Sequence, residues 1–309
     1  MGIQVKKKYI SIIIPVFNST KSLNELLRKI LKIPIKKYEI IFVDDCSENL
    51  ETQKTLTNLA KKHKNIIKVI FLSKNLGRTN AVLTGLNYAS GIYNIIMDDD
   101  LEHDPKYINK FLKLKNHDVV FASYSRNKDF FNNVMSYLKY LLDKITFENK
   151  VRISSYFMIN ARIRKFILNT SMTNPYLPGL INSATIDIVS FNINLNKRKY
   201  DRSNFNFVKK IKIIKNIFIN YSNLPYKILF FLGSSTLLIS FFLGINIIYN
   251  YINYSPQPGW TSITFLVIFF SSINLIFSGL IGYITFTKLN NLSSQKNNHY
   301  YIKKIISHE

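Results

Sequence analysis

Four carboxylates follow directly on an apolar run of the chain, at Asp98, Asp99, Asp100 and Glu102. Adjacent carboxylates repel one another unless a cation or strong hydrogen-bond donors compensate them. If the segment stays extended, Asp98, Asp100 and Glu102 point to one side and offer the hard oxygen ligands that suit Mg²⁺ or Mn²⁺. The cluster therefore predicts a divalent-cation site, where the metal would bridge and neutralise a diphosphate. The alternative is a solvated acidic turn before the helix that Pro105 opens.

Two further polar segments also follow apolar runs. Asp45 is the second residue of an aspartate pair that follows residues 39–43. Its carboxylate could accept hydrogen bonds from a nucleotide base, and an ordinary Asx turn is the alternative. Gly77 and Arg78 follow the run that ends at Leu72 and open a helical pattern. A helix N-terminus beside an arginine favours an anion, and a simple helix cap is the alternative. Three polar sites after three apolar runs indicate a binding site more strongly than any one of them.

The elements that must position these residues form a βαβα rhythm. Strands are predicted at residues 9–14, 39–43, 66–72, 93–97 and 118–123. Between them we predict a helix opened by a capping box from Ser22 to Glu25, a helix over residues 78–89, and a third with Pro105 in its first turn. The pattern predicts an α/β fold with a mostly parallel sheet flanked by helices on both faces. Such sheets bind ligands beyond the carboxyl ends of their strands, where the polar segments lie.

The C-terminal part of the chain has a different composition. Residues 228–249 and 262–287 contain no Asp, Glu, Lys or Arg, and each exceeds the roughly 18 residues that indicate a transmembrane helix. Lysines flank the pair on both outer sides, so the positive-inside rule predicts a multi-pass protein of the cell membrane with both termini in the cytoplasm. Before the first span, apolar residues between Phe207 and Tyr221 recur at helical spacing with lysines on the other face. This pattern predicts an amphipathic helix in contact with membrane lipid.

The net charge limits the classes of partner that the protein can have. A formal charge of +24 implies an anionic partner, which nucleic acid, an acidic membrane or a phosphorylated substrate would each provide. The lysines gather beside the spans and not on a soluble module, so we predict no nucleic acid partner. One cysteine, Cys46, excludes a disulfide framework and a cysteine-based metal site. The oligomeric state is left open, a homo-oligomer included.

Several motifs resemble the inverting glycosyltransferases of family 2, which have the GT-A fold. The resemblance is greatest to the dolichyl-phosphate mannose synthase and bactoprenol glucosyltransferase branch, and it covers nearly the whole chain. It rests on residues 14–18 (IPVFN), 43–47 (VDDCS), 75–85 (NLGRTNAVLTG), 97–105 (MDDDLEHDP), 198–205 (RKYDRSNF), 259–262 (GWTS) and 300–302 (YYI).

The resemblance implies a role for each matching residue. The nucleotide-sugar donor would be bound by Pro15, Val16, Asn18, Asp45, Gly77, Arg78, Asp98 and Asp99. The divalent cation would be held by Asp98, Asp100 and Glu102, and the catalytic set would be Asp98, Asp100 and Arg198. The donor and lipid phosphates would be gripped by Arg126, Arg198, Arg202 and Ser203. Arginine suits this task because its planar fork binds phosphate at two points.

The absence of a catalytic general base indicates the class of acceptor. A hydroxyl acceptor usually needs a general base, which relatives take from a Glu-Asp motif after the sheet. Between residues 151 and 200 the only carboxylate is Asp187, and the only tryptophan is Trp260, so the processive Gln-x-x-Arg-Trp motif is absent as well. A phosphate monoester is already largely anionic near neutrality and can attack the anomeric carbon unaided. The sequence therefore predicts a polyprenyl phosphate acceptor and inversion at the anomeric centre.

These observations predict a membrane-anchored enzyme that moves a sugar from a UDP- or GDP-linked donor to a polyprenyl phosphate of the undecaprenyl or dolichyl type. The predicted organisation is a cytoplasmic catalytic domain at 1–204, an amphipathic juxtamembrane segment at 205–226, a two-helix transmembrane hairpin at 227–288 and a basic cytoplasmic tail at 289–309. Two alternatives remain: a membrane-tethered transferase that uses a glycan hydroxyl, and a catalytically inactive protein that binds nucleotide-sugars.

Overall fold

The computed structural model describes residues 9–124, 154–170, 176–196, 218, 224–254, 259–292 and 302–307. The chain divides into two compact units. The sheet unit comprises residues 1–210 and 295–309, and the helical unit comprises residues 211–294. The predicted amphipathic segment, apart from Phe218, lies outside the described residues, as does most of the predicted tail.

An eight-stranded mixed sheet forms the centre of the sheet unit, in the order β7-β5-β6-β4-β1-β2-β3-β8. The four strands β4, β1, β2 and β3 are neighbours and run parallel, whereas β6 and β8 pair antiparallel with their neighbours. All five predicted strands are present, with bounds shifted by one or two residues at most positions. The strands are β1 (Ile10–Val16), β2 (Tyr38–Asp44), β3 (Ile67–Leu72), β4 (Tyr93–Ile96), β5 (Val119–Ser123), β6 (Phe157–Asn160), β7 (Ile188–Asn192) and β8 (Ile302–Ile306).

Helices cover both faces of this sheet, as predicted. Successive strand residues point to opposite faces, so Ile12 and Ile14 belong to one buried cluster and Ile13 to the other. The first cluster is completed by α1, α2 and α4, and the second by α3, α5 and α6. The helices are α1 (Lys21–Leu31), α2 (Leu50–Lys62), α3 (Arg78–Asn87), α4 (Ile108–Lys113), α5 (Ala161–Asn169) and α6 (Leu177–Ala184), and a 3₁₀ turn at Pro105–Tyr107 precedes α4.

The predicted capping box from Ser22 to Glu25 is wrong. Helix α1 already begins at Lys21, and Ser22 is buried in its first turn. Thr20 precedes the helix without a side-chain capping bond, and Glu25 instead pairs with Lys29 one turn on, at 3.5 Å. The apolar stripe of α1 packs on the sheet, and this packing sets the start of the helix in place of a capping side chain.

Strand β8 was not predicted. The sequence pattern suggested a charged tail, but Ile302–Ile306 pairs antiparallel with β3, with Ile305 opposite Ile70 and Ile306 opposite Val69. Two lysines in a five-residue segment hide the strand signal, because an edge strand carries charges on its exposed side. The strand therefore depends on the open edge of β3, about 230 residues away in the sequence.

The helical unit contains two long apolar helices, α7 (Leu224–Asn253) and α8 (Trp260–Leu292). Leu224–Asn253 and Ser262–Thr285 are long and apolar enough to cross a membrane, and 11% of the most apolar stretch of each is buried. Burial this low does not fit the core helix of a soluble protein. The two helices meet at glycines: a Cβ added to Gly233 would lie 2.7 Å from Ile276, as expected for close packing of membrane helices. These features indicate a membrane protein.

Candidate active site

Four loops at one edge of the sheet each contain a residue with a left-handed backbone. Asn18 (φ 54°) follows β1, Cys46 (φ 59°) follows β2, Gly77 (φ 84°) follows β3 and Leu101 (φ 62°) follows β4. This conformation costs a residue other than glycine about 1 kcal/mol or more, and it persists where the surroundings impose it. Because β1 to β4 run parallel, all four loops lie at the carboxyl edge, where the sequence predicted the site.

Asn18 joins the first two loops. Its backbone N–H donates to Ser47 Oγ at 2.8 Å, and its Oδ1 accepts from the backbone N–H groups of Glu48 and Asn49 at 2.9 and 3.2 Å. Ser47 Oγ in turn donates to Asp44 Oδ1 at 2.5 Å, and burial raises the pKa of that carboxyl. Asn18 therefore has a structural role, and its predicted contact with the donor stays a prediction.

Asp45 joins the second and third loops. Its Oδ1 accepts from the N–H of Leu76 at 2.7 Å, and its Oδ2 accepts from the N–H of Gly77 at 2.9 Å. Burial raises the pKa of Asp45, and the two backbone hydrogen bonds oppose that rise. The carboxylate thus fixes the loop that precedes α3, a role that the sequence did not indicate. Its predicted contact with the base is not tested by this geometry.

Arg78 links three elements at the first residue of α3. Its Nε donates to Asp98 Oδ1 at 2.6 Å, and its Nη2 donates to the carbonyl of Ser155, just before β6, at 2.9 Å. Burial acts to raise the pKa of Asp98, but Arg78 and His103 outweigh it and hold this pKa below the ordinary carboxyl range. Asp98 is therefore an anion at neutral pH, and the Arg78 side chain lies against it.

His103 is a site residue that the sequence reasoning missed. It is 1% exposed, and its ring stacks on Tyr156 with the centroids 4.9 Å apart. Its Nδ1 accepts from the backbone N–H of Asp98 at 3.3 Å, and its Nε2 lies 3.4 Å from Ser155 Oγ. The ring thereby holds the backbone of the first residue of the acidic cluster. The motif at residues 97–105 contains His103, but the sequence reasoning gave it no role.

The next two carboxylates have a different environment from Asp98. Asp99 Oδ2 is buried and has no hydrogen-bond partner. Burial, and then the charges of Asp98 and Asp100, raise the pKa of Asp99 to about 7. Burial and the charge of Asp98 also raise the pKa of Asp100, whose Oδ1 accepts from the N–H of Glu102 at 3.1 Å. Both carboxyls lie where added positive charge would be stabilising.

The predicted metal trio of Asp98, Asp100 and Glu102 rested on an extended segment, and the segment is not extended. Leu101 turns the chain with its left-handed backbone, and its side chain is buried. Among the residues that the structure describes, no three His, Cys, Asp or Glu side chains are grouped as a metal site. The donor atoms and the raised pKa values fit a hard divalent cation, and the assignment of Asp98, Asp100 and Glu102 as its ligands stays a prediction.

Asn196 contacts the acidic loop from a distant part of the sequence. Its Nδ2 donates to the carbonyl of Leu101 at 3.2 Å, and its backbone N–H donates to the carbonyl of Glu102 at 3.1 Å. This contact could not be predicted from the sequence, since the partners are 94 and 95 residues apart. The predicted phosphate-binding residues Arg126, Arg198, Arg202 and Ser203 lie outside the part of the chain that the structure describes.

The fold and the site together define an α/β protein with a ligand site at the carboxyl edge of its sheet, in a chain that also contains two apolar helices. The chain belongs to glycosyl transferase family 2, whose model matches residues 11–171, more than half of its length. It is therefore a glycosyltransferase.

Relatives and solved structures agree with this assignment. The undecaprenyl-phosphate 4-deoxy-4-formamido-L-arabinose transferase of Klebsiella pneumoniae is 25% identical over 81% of this chain and 79% of its own length. The corresponding protein of Proteus mirabilis is 26% identical over 77% and 76%. Glucosyl-3-phosphoglycerate synthase of Mycobacterium tuberculosis, in complex with Mn²⁺, UDP-glucose and phosphoglyceric acid, is a fold neighbour with a TM-score of 0.51 and 15% identity, covering 68% of this chain and 79% of that one. The fold is therefore that of GT-A glycosyltransferases.

Proposed function

We propose that this protein transfers a sugar from a UDP- or GDP-linked donor to a polyprenyl phosphate, with inversion, at the cytoplasmic face of the membrane. One observation carries the proposal: the similarity to undecaprenyl-phosphate sugar transferases extends over about four-fifths of both chains. A similarity over 81% of this chain must include residues beyond 11–171, the part that the family model matches.

The donor site is supported by the loops at the carboxyl edge. Asp45 holds the N–H groups of Leu76 and Gly77 in place at the start of α3, a helix of ten residues. The N-terminus of a helix favours an anion, and Arg78 adds a full positive charge there. We assign the nucleotide diphosphate to this region, with Pro15 and Val16 at the end of β1 beside it.

A divalent cation fits the acidic loop by its chemistry. Asp98, Asp100 and Glu102 would hold it, and when bound it would neutralise the charge that develops on the leaving diphosphate. The burial and mutual repulsion that raise the pKa values of Asp99 and Asp100 support a cation there. Mn²⁺ is present with UDP-glucose in the fold neighbour named above, which makes it the first ion to test.

The acceptor phosphate supplies its own nucleophile. A phosphate monoester is mostly ionised near neutrality, so transfer needs positioning and charge screening more than a general base. Arg198 is the residue that we assign to the acceptor phosphate, with Arg126, Arg202 and Ser203 as further phosphate contacts.

The membrane topology is supported by β8. This strand follows both apolar helices in sequence and pairs with β3, so the segments before and after the helices join one sheet. A folded sheet cannot be divided by a bilayer, because its polar backbone groups would be exposed to lipid. Both segments therefore lie on one side, and the flanking lysines favour the cytoplasm. We propose a catalytic domain at 1–204, a juxtamembrane segment at 205–226, a transmembrane hairpin at 227–288 and a C-terminal segment at 289–309. Strand β8 lies within the C-terminal segment.

The test is transfer of radiolabelled sugar from a panel of nucleotide-sugars to polyprenyl phosphate in membranes. We expect an acid-labile lipid product that requires Mg²⁺ or Mn²⁺ and is abolished by EDTA. Asp100→Asn should lower the rate about 100-fold or more, since it removes a charged ligand that we propose for the cation. Glu48→Gln, an exposed carboxylate in the neighbouring loop, is the matched control and should retain the rate.

Two outcomes would overturn the proposal. Transfer to a glycan hydroxyl without free lipid phosphate would identify a membrane-tethered transferase of another acceptor class. Donor binding by calorimetry without turnover for any acceptor would identify an inactive nucleotide-sugar-binding protein.

A further inference from the structure

The acidic loop, residues 98–102, is held in its turned shape by a residue that does not belong to strands β1 to β4 or to the loops that follow them. Leu101 and Glu102 present two successive carbonyl groups, and Asn196 donates to both, with Nδ2 to the first and its backbone N–H to the second. Leu101 has φ 62°, a conformation that a leucine adopts only when the surroundings impose it. The Asn196 side chain is one of the groups that impose it.

The segment that carries Asn196 is itself anchored. The backbone N–H of Ile193 donates to the carbonyl of Ser123 at the end of β5, at 2.9 Å, and the Ile193 side chain is buried. The N–H of Asn194 donates to Tyr107 Oη at 3.2 Å. Residues 193–196 are thus fastened both to the sheet and to the acidic loop, so Asn196 acts as a rigid support.

In the sequence, Asn196 lies two residues before Arg198, the residue that we assign to the acceptor phosphate. The loops after β2 and β3 are joined by a different contact, that of Asp45 with the N–H groups of Leu76 and Gly77. A displacement of Asn196 should therefore disturb the acidic loop and leave the Asp45 contact in place.

We propose that Asn196 is a positioning residue that holds the acidic loop in the turned shape that the transfer reaction needs. The inference rests on the proposed function for its reaction. It adds a residue whose side chain acts through the Leu101 carbonyl and needs no contact with substrate.

The test compares Asn196→Ala with Asn196→Asp and with Asn192→Ala. An ionised aspartate has the shape of asparagine but cannot donate to the Leu101 carbonyl. A loss of activity in Asn196→Asp would therefore come from the lost hydrogen bond and the new charge, and not from lost packing. Asn192 is an exposed asparagine at the end of β7, and the same substitution there is the matched control. Each variant keeps the backbone N–H that donates to Glu102.

We expect Asn196→Ala and Asn196→Asp to lower kcat about 10- to 100-fold, since misplacement by a fraction of an ångström is costly in a transfer reaction. The KM for the nucleotide-sugar should rise by a smaller factor than kcat falls, because the contact of Asp45 with the loop before α3 is kept. Hydrogen–deuterium exchange of the peptide that spans residues 98–107 should speed up in both variants and stay unchanged in Asn192→Ala. This exchange is measured without substrates or metal.

The inference is overturned if Asn196→Asp keeps the kcat of the parent protein, or if exchange of the acidic loop does not change. It is also overturned if donor KM rises as much as kcat falls, which would indicate a general loss of structure. A parent protein that fails to glycosylate lipid phosphate contradicts the proposed function instead, and the exchange experiment still decides the role of Asn196.

Discussion

At the residue scale, adjacent aspartates differ because their surroundings differ. Asp98 has a guanidinium 2.6 Å away and stays ionised, whereas Asp99 Oδ2 is buried without a partner. Two consecutive residues are thus a carboxylate and a carboxyl whose pKa is raised to about 7. Positive charge near the loop lowers the pKa of Asp98 and leaves the pKa values of Asp99 and Asp100 raised.

Asp99→Asn should stabilise the protein increasingly as the pH rises. The pKa of Asp99 is higher in the folded than in the unfolded protein, so its folded state binds more protons between about pH 4 and pH 7 and loses stability across that window. An amide does not ionise, and the gain over the parent should reach a few kcal/mol by pH 8. Thermal unfolding of EDTA-treated protein between pH 5 and pH 8 measures it. A difference that does not vary with pH would contradict this assignment.

The identities of Asp45, Arg78 and Asp98 could be predicted as strand-end residues from the sequence, but their contacts could not. Asp45 binds backbone groups of Leu76 and Gly77, which are 31 and 32 residues away, and that pairing depends on the register between β2 and β3. His103 was missed for a similar reason. Its burial against Tyr156 follows from β6, a strand that the local pattern did not reveal.

At the element scale, α3 is the helix that carries Arg78, and a glycine sets its distance from the sheet. A Cβ added to Gly85 would lie 2.5 Å from Ile13 Cγ2 and 3.1 Å from Val43 Cγ2. Neither neighbour can withdraw easily, because both are fully buried in β1 and β2. Close approach of α3 to these two strands therefore requires glycine at this position.

Gly85→Ala should lower the free energy of unfolding by about 1–3 kcal/mol, the usual cost of overpacking a core. It should also weaken nucleotide-sugar binding, because the shifted helix displaces Arg78 from Asp98. Chemical denaturation and calorimetry with the donor measure the two effects. Asn87→Ala, at an exposed position of the same helix, is the control. Unchanged donor affinity in a destabilised Gly85→Ala protein would show that α3 does not position Arg78.

The elements differed in how readily the sequence revealed them. The first five strands are continuous apolar runs of the kind that a sheet buried on both faces requires, and all five were predicted. Strands β6, β7 and β8 were not predicted, and each forms by pairing with a strand that is distant in the sequence. The acidic loop was predicted as extended, yet the buried side chain of Leu101 and the Asn196 contacts turn it.

At the scale of the whole molecule, one sheet contains both the first and the last described strands of the chain. Strand β1 lies near the N-terminus and β8 near the C-terminus, with both apolar helices between them in sequence. The number of membrane crossings between β7 and β8 must then be even. The two apolar helices satisfy this condition.

Fusions at the two termini test this topology in bacteria. Green fluorescent protein should fluoresce at either end, and alkaline phosphatase should be inactive at either end, because we propose that both termini face the cytoplasm. The control fuses alkaline phosphatase in the segment between α7 and α8, where activity is expected. Opposite behaviour of the two termini would contradict the pairing of β8 with β3.

The pairing of β8 with β3 also constrains how the protein is made. Translation completes β3 long before β8, so the edge of β3 lacks this partner while both apolar helices are still being synthesised and inserted. An unpaired strand edge is prone to associate with other chains. Final closure of the sheet is therefore a late step that follows membrane insertion, and a defect in insertion should leave a catalytic domain that aggregates through β3.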